Sequence, residues 1–320
     1  MKPKGGRILT VNFNLWAKTG GISLPGAGSV PFWGFASTAA GPAQLPGPLL
    51  EVPQGENVEL ALTNNLTSSI SLVFPGQDFI PQPVKNPGGA FISYNPETAP
   101  GSSLTYSLTA SRPGIFLYES GTGPEKQIQM GLYGAMVVRP PGFDPGNPAT
   151  WTAYGPDTGT AFDVEKILVI SEVDTAMHQA LASGDDPAAY SPDYFLINGR
   201  SFPDTLNPDE SSTQPYGSKV TATSGQRVLL RIINAGFMNH NIRLQGIDTR
   251  VAAGDSRPLK TPSLDKTYVK DTITIGSGQS YDLLFTAPAA GKYLLYDRNL
   301  SSCVNRNDFP GGIMTMVEVI

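Results

Sequence analysis

Apolar residues recur at every second position along much of this chain. Val58, Leu60 and Leu62 alternate with Asn57, Glu59 and Ala61, and Leu104, Tyr106 and Leu108 alternate with Thr105, Ser107 and Thr109. In an extended strand successive side chains point to opposite faces, so each run predicts a strand with one apolar face turned inward. Ile167 to Ile170 form an unbroken apolar run, the pattern of a strand buried on both faces. Turn residues separate these runs, at Pro53-Gln-Gly55, Pro100-Gly101, Pro113-Gly114, Ser224-Gly225 and Gly276-Ser-Gly278. One short helix is expected near Asp174 to Leu181, with Asp174 as its cap. Evenly spaced short strands of this kind predict an all-β chain of sandwiches or barrels.

The second half repeats the first. Gly55, Val58, Leu60, Leu62 and Asn64 return as Gly225, Val228, Leu230, Ile232 and Asn234, at an offset of 170. Gly101, Leu108, Thr109, Ala110, Gly114, Phe116 and Leu117 return as Gly278, Phe285, Thr286, Ala287, Gly291, Tyr293 and Leu294, at an offset of 177. Gly134-Ala-Met136 aligns with Gly312-Ile-Met314 at 178, and the drift is what loop insertions produce. Between the halves, Arg139-Pro-Pro-Gly-Phe-Asp-Pro-Gly-Asn-Pro-Ala-Thr carries four prolines, which cannot continue a sheet interior. The expected division is an N-terminal domain over 1–140, a Pro/Gly-rich linker over 141–163 and a C-terminal domain over 164–320.

Composition narrows the picture further. One residue in five is Gly or Pro (35 and 29 of 320), which favours strands and turns over helices. With 40% hydrophobic residues there is ample apolar surface for a core, and disorder is not expected. A net charge of −5 without any basic run argues against nucleic acid as a partner. No apolar stretch reaches the roughly 18 residues that span a bilayer. The start, Met1-Lys-Pro-Lys-Gly-Gly, is basic but has no apolar segment behind it. An extracellular or periplasmic location therefore assumes a leader already removed. A single cysteine, Cys303, excludes an internal disulfide.

Several segments taken together resemble the multicopper oxidase family, whose members string together cupredoxin domains. In the first half these are Gly55-Glu-Asn-Val with Asn64-Asn-Leu, Gly114-Ile-Phe-Leu-Tyr118 and Gly131-Leu-Tyr-Gly-Ala-Met-Val-Val138. In the second they are Tyr194-Phe-Leu-Ile-Asn-Gly-Arg200, Arg231-Ile-Ile-Asn-Ala-Gly236 and Tyr296-Asp-Arg-Asn299. The resemblance implies two tandem cupredoxin-like Greek-key β-sandwich domains. It also implies copper held by His-x-His pairs, and here the chain departs from the family. Where active members carry His-Trp-His-Gly, this chain has Val73-Phe74-Pro75-Gly76; where they carry Tyr-His-Ser-His, it has Tyr118-Glu119-Ser120-Gly121. After Tyr296-Asp-Arg-Asn299 stand Ser301 and Ser302 rather than a histidine pair.

Only His178 and His240 are available as imidazoles. His240, in Met238-Asn-His240-Asn, lies where the family's second domain can carry a histidine, although a hydrogen-bonded structural role suits a lone His better. His178 reads as a solvated residue of the short helix. Cys303 lacks the family's Cys-x4-His spacing, since Asn307 and Asp308 stand there, and reads as a thiol without metal. Glu119 puts a carboxylate in place of an imidazole, which suits a hard cation such as Ca²⁺ or Mn²⁺ or, more simply, an ion pair with Lys126 or an arginine. No catalytic, cofactor-binding or metal-ligating residue is assigned; His240, Cys303 and Glu119 are the only candidates for a metal. Two functions follow. The leading one is a copper-free relative of the family, without cofactor, serving as an extracytoplasmic binding, structural or assembly module for an unknown protein partner or for self-association. The alternative is a multicopper oxidase-type copper oxidoreductase, or a copper-free section of a larger one, whose metal sites lie in other domains or between subunits.

Overall fold

The computed structural model describes residues 9–210 and 212–320. The basic start singled out above lies outside them. In the first half, strands Gly28–Ala36, Thr10–Leu24, Asn57–Asn64 and Ser103–Thr109 form one sheet in that order. Gly47–Pro53, Tyr133–Arg139 and Gly114–Glu119 form a second. The two sheets enclose a core that includes Leu15, Val58, Leu60, Leu62, Tyr106, Leu108, Phe116 and Met136. The alternation read from the sequence thus sets which face is covered.

The repeat reappears as strand pairing. Asn57–Asn64 lies parallel to Thr10–Leu24 and antiparallel to Ser103–Thr109. Its counterpart Arg227–Asn234 lies parallel to Val164–Val173 and antiparallel to Ser280–Thr286. Likewise Tyr133–Arg139 takes Gly47–Pro53 parallel and Gly114–Glu119 antiparallel, as Met314–Val319 takes Val220–Ala222 and Gly291–Asp297. Both halves are cupredoxin-like sandwiches, and the chain is all-β with short helices. The helix spans Thr175–Ser183; the Asp174 carboxylate accepts from Met177 N, and Gly184 closes it at φ 82°.

The continuous apolar runs are strands buried twice over. In Gly114–Glu119, Phe116 and Tyr118 face their own core while Ile115 and Leu117 face the other half. From that half Val169, Val173, Leu196, Ile233 and Ala235 complete one apolar layer between the two sandwiches. Ser256 crosses the same boundary, its hydroxyl donating to Ile115 O and accepting from Ile115 N. A Cβ on Gly114, at φ 136°, would collide with Ser256 at 2.4 Å from its Cβ, so the Pro113-Gly114 turn also lets the halves close together. Ala153, Tyr154 and Phe162, between the strands of the two halves, pack on Leu229, Ala252 and Leu284.

Candidate functional site

His240 opens the strand His240–Leu244 and is fully buried. Its ring is gripped from both ends: Nε2 lies 2.6 Å from Glu172 Oε1 and Nδ1 lies 2.7 Å from Asp297 Oδ2. Glu172 sits near the end of Val164–Val173, and Asp297 ends Gly291–Asp297. Glu172 also accepts from Tyr190 Oη, Phe237 N and Met238 N, and Asp297 from Asn241 N and Asn299 N. The Glu172 carboxylate fits only because residue 236 is glycine; a Cβ there would lie 2.3 Å from Oε2. An ionised carboxylate can only accept, so carboxylates at both ring nitrogens require both to donate, and the ring is an imidazolium. Burial pulls the imidazole pKa down, but the bonds and charges of Asp297 and Glu172 outweigh it and raise it to about 9.

Cys303 reaches the same residue from another side. It follows the short 3-10 turn Leu300–Ser302, is buried, and its Sγ donates to Asp297 O at 3.2 Å. Burial raises the thiol to about 11, so it stays protonated near neutrality. Asp297 therefore links His240 and Cys303, while Glu119 stands apart at the boundary between the halves. There it borders a crevice of 140 Å³ together with Pro75, Ile233 and Gly278. The expected ion pair is not formed: Lys126 approaches Asp186 at 3.6 Å, and no described side chain bonds to the Glu119 carboxylate. Desolvation without compensation raises this carboxyl to about 7. His178 also departs from expectation, for it is buried rather than solvated. Its Nδ1 and Nε2 lie 2.7 Å from Pro31 O and 2.9 Å from Gln129 O, which pins the helix to the first half. Burial lowers its pKa despite the two carbonyls that favour the charged ring.

Three of the positions that the resemblance places at copper, Val73, Glu119 and Gly121, lie side by side. Val73 and Glu119 exchange backbone hydrogen bonds, and a Cβ on Gly121 would point at Val73 Cγ1 and Ser71 Oγ, 2.8 and 2.9 Å away. What fills this place is a set of hydroxyls that the sequence did not flag. Ser71 and Ser93 Oγ are 2.9 Å apart, and Thr122 donates to one or the other. Glu172, Asp297 and a second buried network around Arg231 were likewise not among the residues singled out from the sequence. Arg231 Nε donates to Glu165 at 2.6 Å, its Nη1 contacts Asp282 at 3.3 Å, and Glu165 is shared with Arg139. The signal was present, since Glu172 and Arg231 are single charges inside apolar runs.

Comparison with known proteins bears on what this arrangement serves. Family models for multicopper oxidases match residues 36–142 and 171–317. Laccase-2 of Botryotinia fuckeliana is 28% identical over 252 residues, covering 77% of this chain and 39% of its own length. Laccase-13 of Arabidopsis thaliana is 28% identical over 268 residues, covering 78% and 41%. The chain thus spans about two fifths of the length of these relatives. The blue copper oxidase of Nitrosomonas europaea superposes with a TM-score of 0.75 at 24% identity, covering 97% of this chain and 86% of that one, a likeness of fold.

The expectation of no cofactor is corrected by these matches. Both halves match models of copper oxidases, so copper is the cofactor to which the relatives point. The donors in this chain do not fit it as a set. A metal bridging an imidazole nitrogen and a carboxylate oxygen, bound at roughly 2.0–2.2 Å to each, would hold the two about 3 Å or more apart. At 2.6 and 2.7 Å the His240 contacts are hydrogen bonds. The serine and threonine hydroxyls are neutral oxygens, poor ligands for a metal that selects imidazole and thiolate. Among the described residues no group of three or more His, Cys, Asp and Glu is placed to hold a metal ion.

Proposed function

Because this chain belongs to the multicopper oxidase family, we propose that it serves that family as a binding or assembly module, not as a catalyst using ligands of its own. Under this reading it works outside the cytoplasm as a pair of cupredoxin domains, 1–140 and 164–320, joined by 141–163. Any copper chemistry it takes part in draws its ligands from elsewhere. No described helix is long and apolar enough to cross a membrane. One observation carries the reading: the His240 imidazole spends both nitrogens on Glu172 and Asp297, so no lone pair is left for a metal.

The test is oxygen uptake on a phenolic substrate by the copper-loaded chain, with copper content measured before and after His240→Gln. The expected result is no turnover, and a copper content that does not depend on residue 240. Steady turnover, or copper lost with the imidazole, would overturn the reading.

A further inference from the structure

Between the two sandwiches lies a cleft of 230 Å³ that none of the groups above explains. Its apolar surface comes from Leu49 and Ala135 of the first half and Ile167 and Val169 of the second, all part of the layer between the halves. Glu51, Glu165 and Asp209 line it with Arg139 and Lys166, and each acid has a partner, Asp209 having Lys166 among its own. Glu165 holds Arg231 and Arg139, Glu51 takes Arg139 Nε at 3.0 Å, and Asp209 Oδ1 accepts from Gly217 N at 2.7 Å.

What remains unspent is donor capacity. The Lys166 ammonium has three N–H groups and one long described contact, 3.5 Å to Asp209, although its side chain is only 21% exposed. The Tyr216 hydroxyl accepts from Leu49 N at 2.9 Å, and its own proton has no acceptor among the described residues. An ammonium with one long bond to Asp209 and a phenol proton with no described acceptor, beside a greasy surface, leave room for an acceptor-rich head on an apolar body. An ammonium and a phenol lining one cleft match a carboxylate, which accepts from the phenol and from the N–H groups that Asp209 leaves free on Lys166.

We propose that this cleft binds a small monocarboxylic acid with a branched or aromatic body. Its carboxylate meets Lys166 and Tyr216, and its body lies on Leu49, Ala135, Ile167 and Val169. The cavity is smaller than the roughly 300–1,000 Å³ of pockets for drug-sized ligands, so the ligand has about a dozen heavy atoms or fewer. For so few atoms the dissociation constant is on the order of 0.1–1 mM. This site is independent of how the chain relates to copper.

Benzoate is the probe, titrated into the full chain by ligand-observed NMR and calorimetry at neutral pH, with benzamide as its neutral isostere. The expected result is saturable one-to-one binding of benzoate, with benzamide about tenfold weaker or worse. Lys166→Met keeps the aliphatic stem and removes the charge; it should weaken benzoate about tenfold while leaving benzamide unchanged, and Lys166→Arg should recover most of the loss. Tyr216→Phe should weaken it about threefold. Thermal midpoints of the variants establish that they are folded. Absence of saturable binding up to about 10 mM, equal affinity for benzoate and benzamide, or indifference to Lys166→Met would each overturn the proposal.

Discussion

Raising the pH from 6.5 to about 9.5 should cost this chain much of its stability, and the cause is one ring. His240 is gripped by two carboxylates in the fold and by none when unfolded. Its pKa is therefore raised on folding, from 6.5 to about 9. A raised pKa means that the stabilisation is fully present below 6.5 and fades as the pH passes through about 9. The gap corresponds to roughly 3 kcal/mol, against the 5–15 kcal/mol by which a domain is typically stable. Urea unfolding followed by far-ultraviolet circular dichroism, at steps across this range, measures it. Glu119 and Cys303 also titrate with raised values, about 7 and about 11, and each costs stability as pH rises. Comparison with His240→Gln removes their share, because they are the same in both proteins. The variant should be less stable at pH 6.5 by roughly 3–5 kcal/mol, since two buried carboxylates lose the cation between them. Its remaining pH dependence over the range should be much shallower. A wild-type midpoint that does not move between pH 6.5 and 9.5, or a variant that falls just as steeply, would refute the imidazolium clamp.

Glu119→Gln should stabilise the chain by roughly 1–3 kcal/mol at pH 8 and by almost nothing at pH 4, because the carboxyl, raised to about 7, is charged at a cost only in the first case; thermal melts at the two pH values check it. Cys303 should resist a thiol reagent in the native chain and react on unfolding, since its sulfur is buried and donates to Asp297 O. Cys303→Ser keeps a donor at that place and should cost about 1 kcal/mol in a denaturant midpoint.

Much of the fold was legible because strands announce themselves locally. A period of two along Asn57–Asn64 and Ser103–Thr109 names the face that must be covered, whatever covers it. The tandem repeat did the rest, since two stretches with the same spacing of Gly, apolar and Asn positions pair their strands in the same way. The helix beginning after Asp174 was equally local, a cap and an apolar turn. Even the doubly buried strands left a trace as unbroken apolar runs at Ile167–Ile170 and Gly114–Tyr118.

The site was not legible in that way. His240, Glu172 and Asp297 are 68 and 57 residues apart along the chain, and nothing local indicates that three strands bring them to one point. His178 looked solvated on a short helix because helix periodicity says which residues share a face, not what lies against that face; Pro31 and Gln129 of the other half decided it. Glu119 looked ready for a lysine nearby in sequence, but it borders the second half, where no cation among the described residues pairs with it. Sequence determined the strands, the repeat and the family, which rest on residues close together or on matching spacing. Whether each lone polar group is charged, and what it holds, depends on distances between remote segments, and only the tertiary structure sets those.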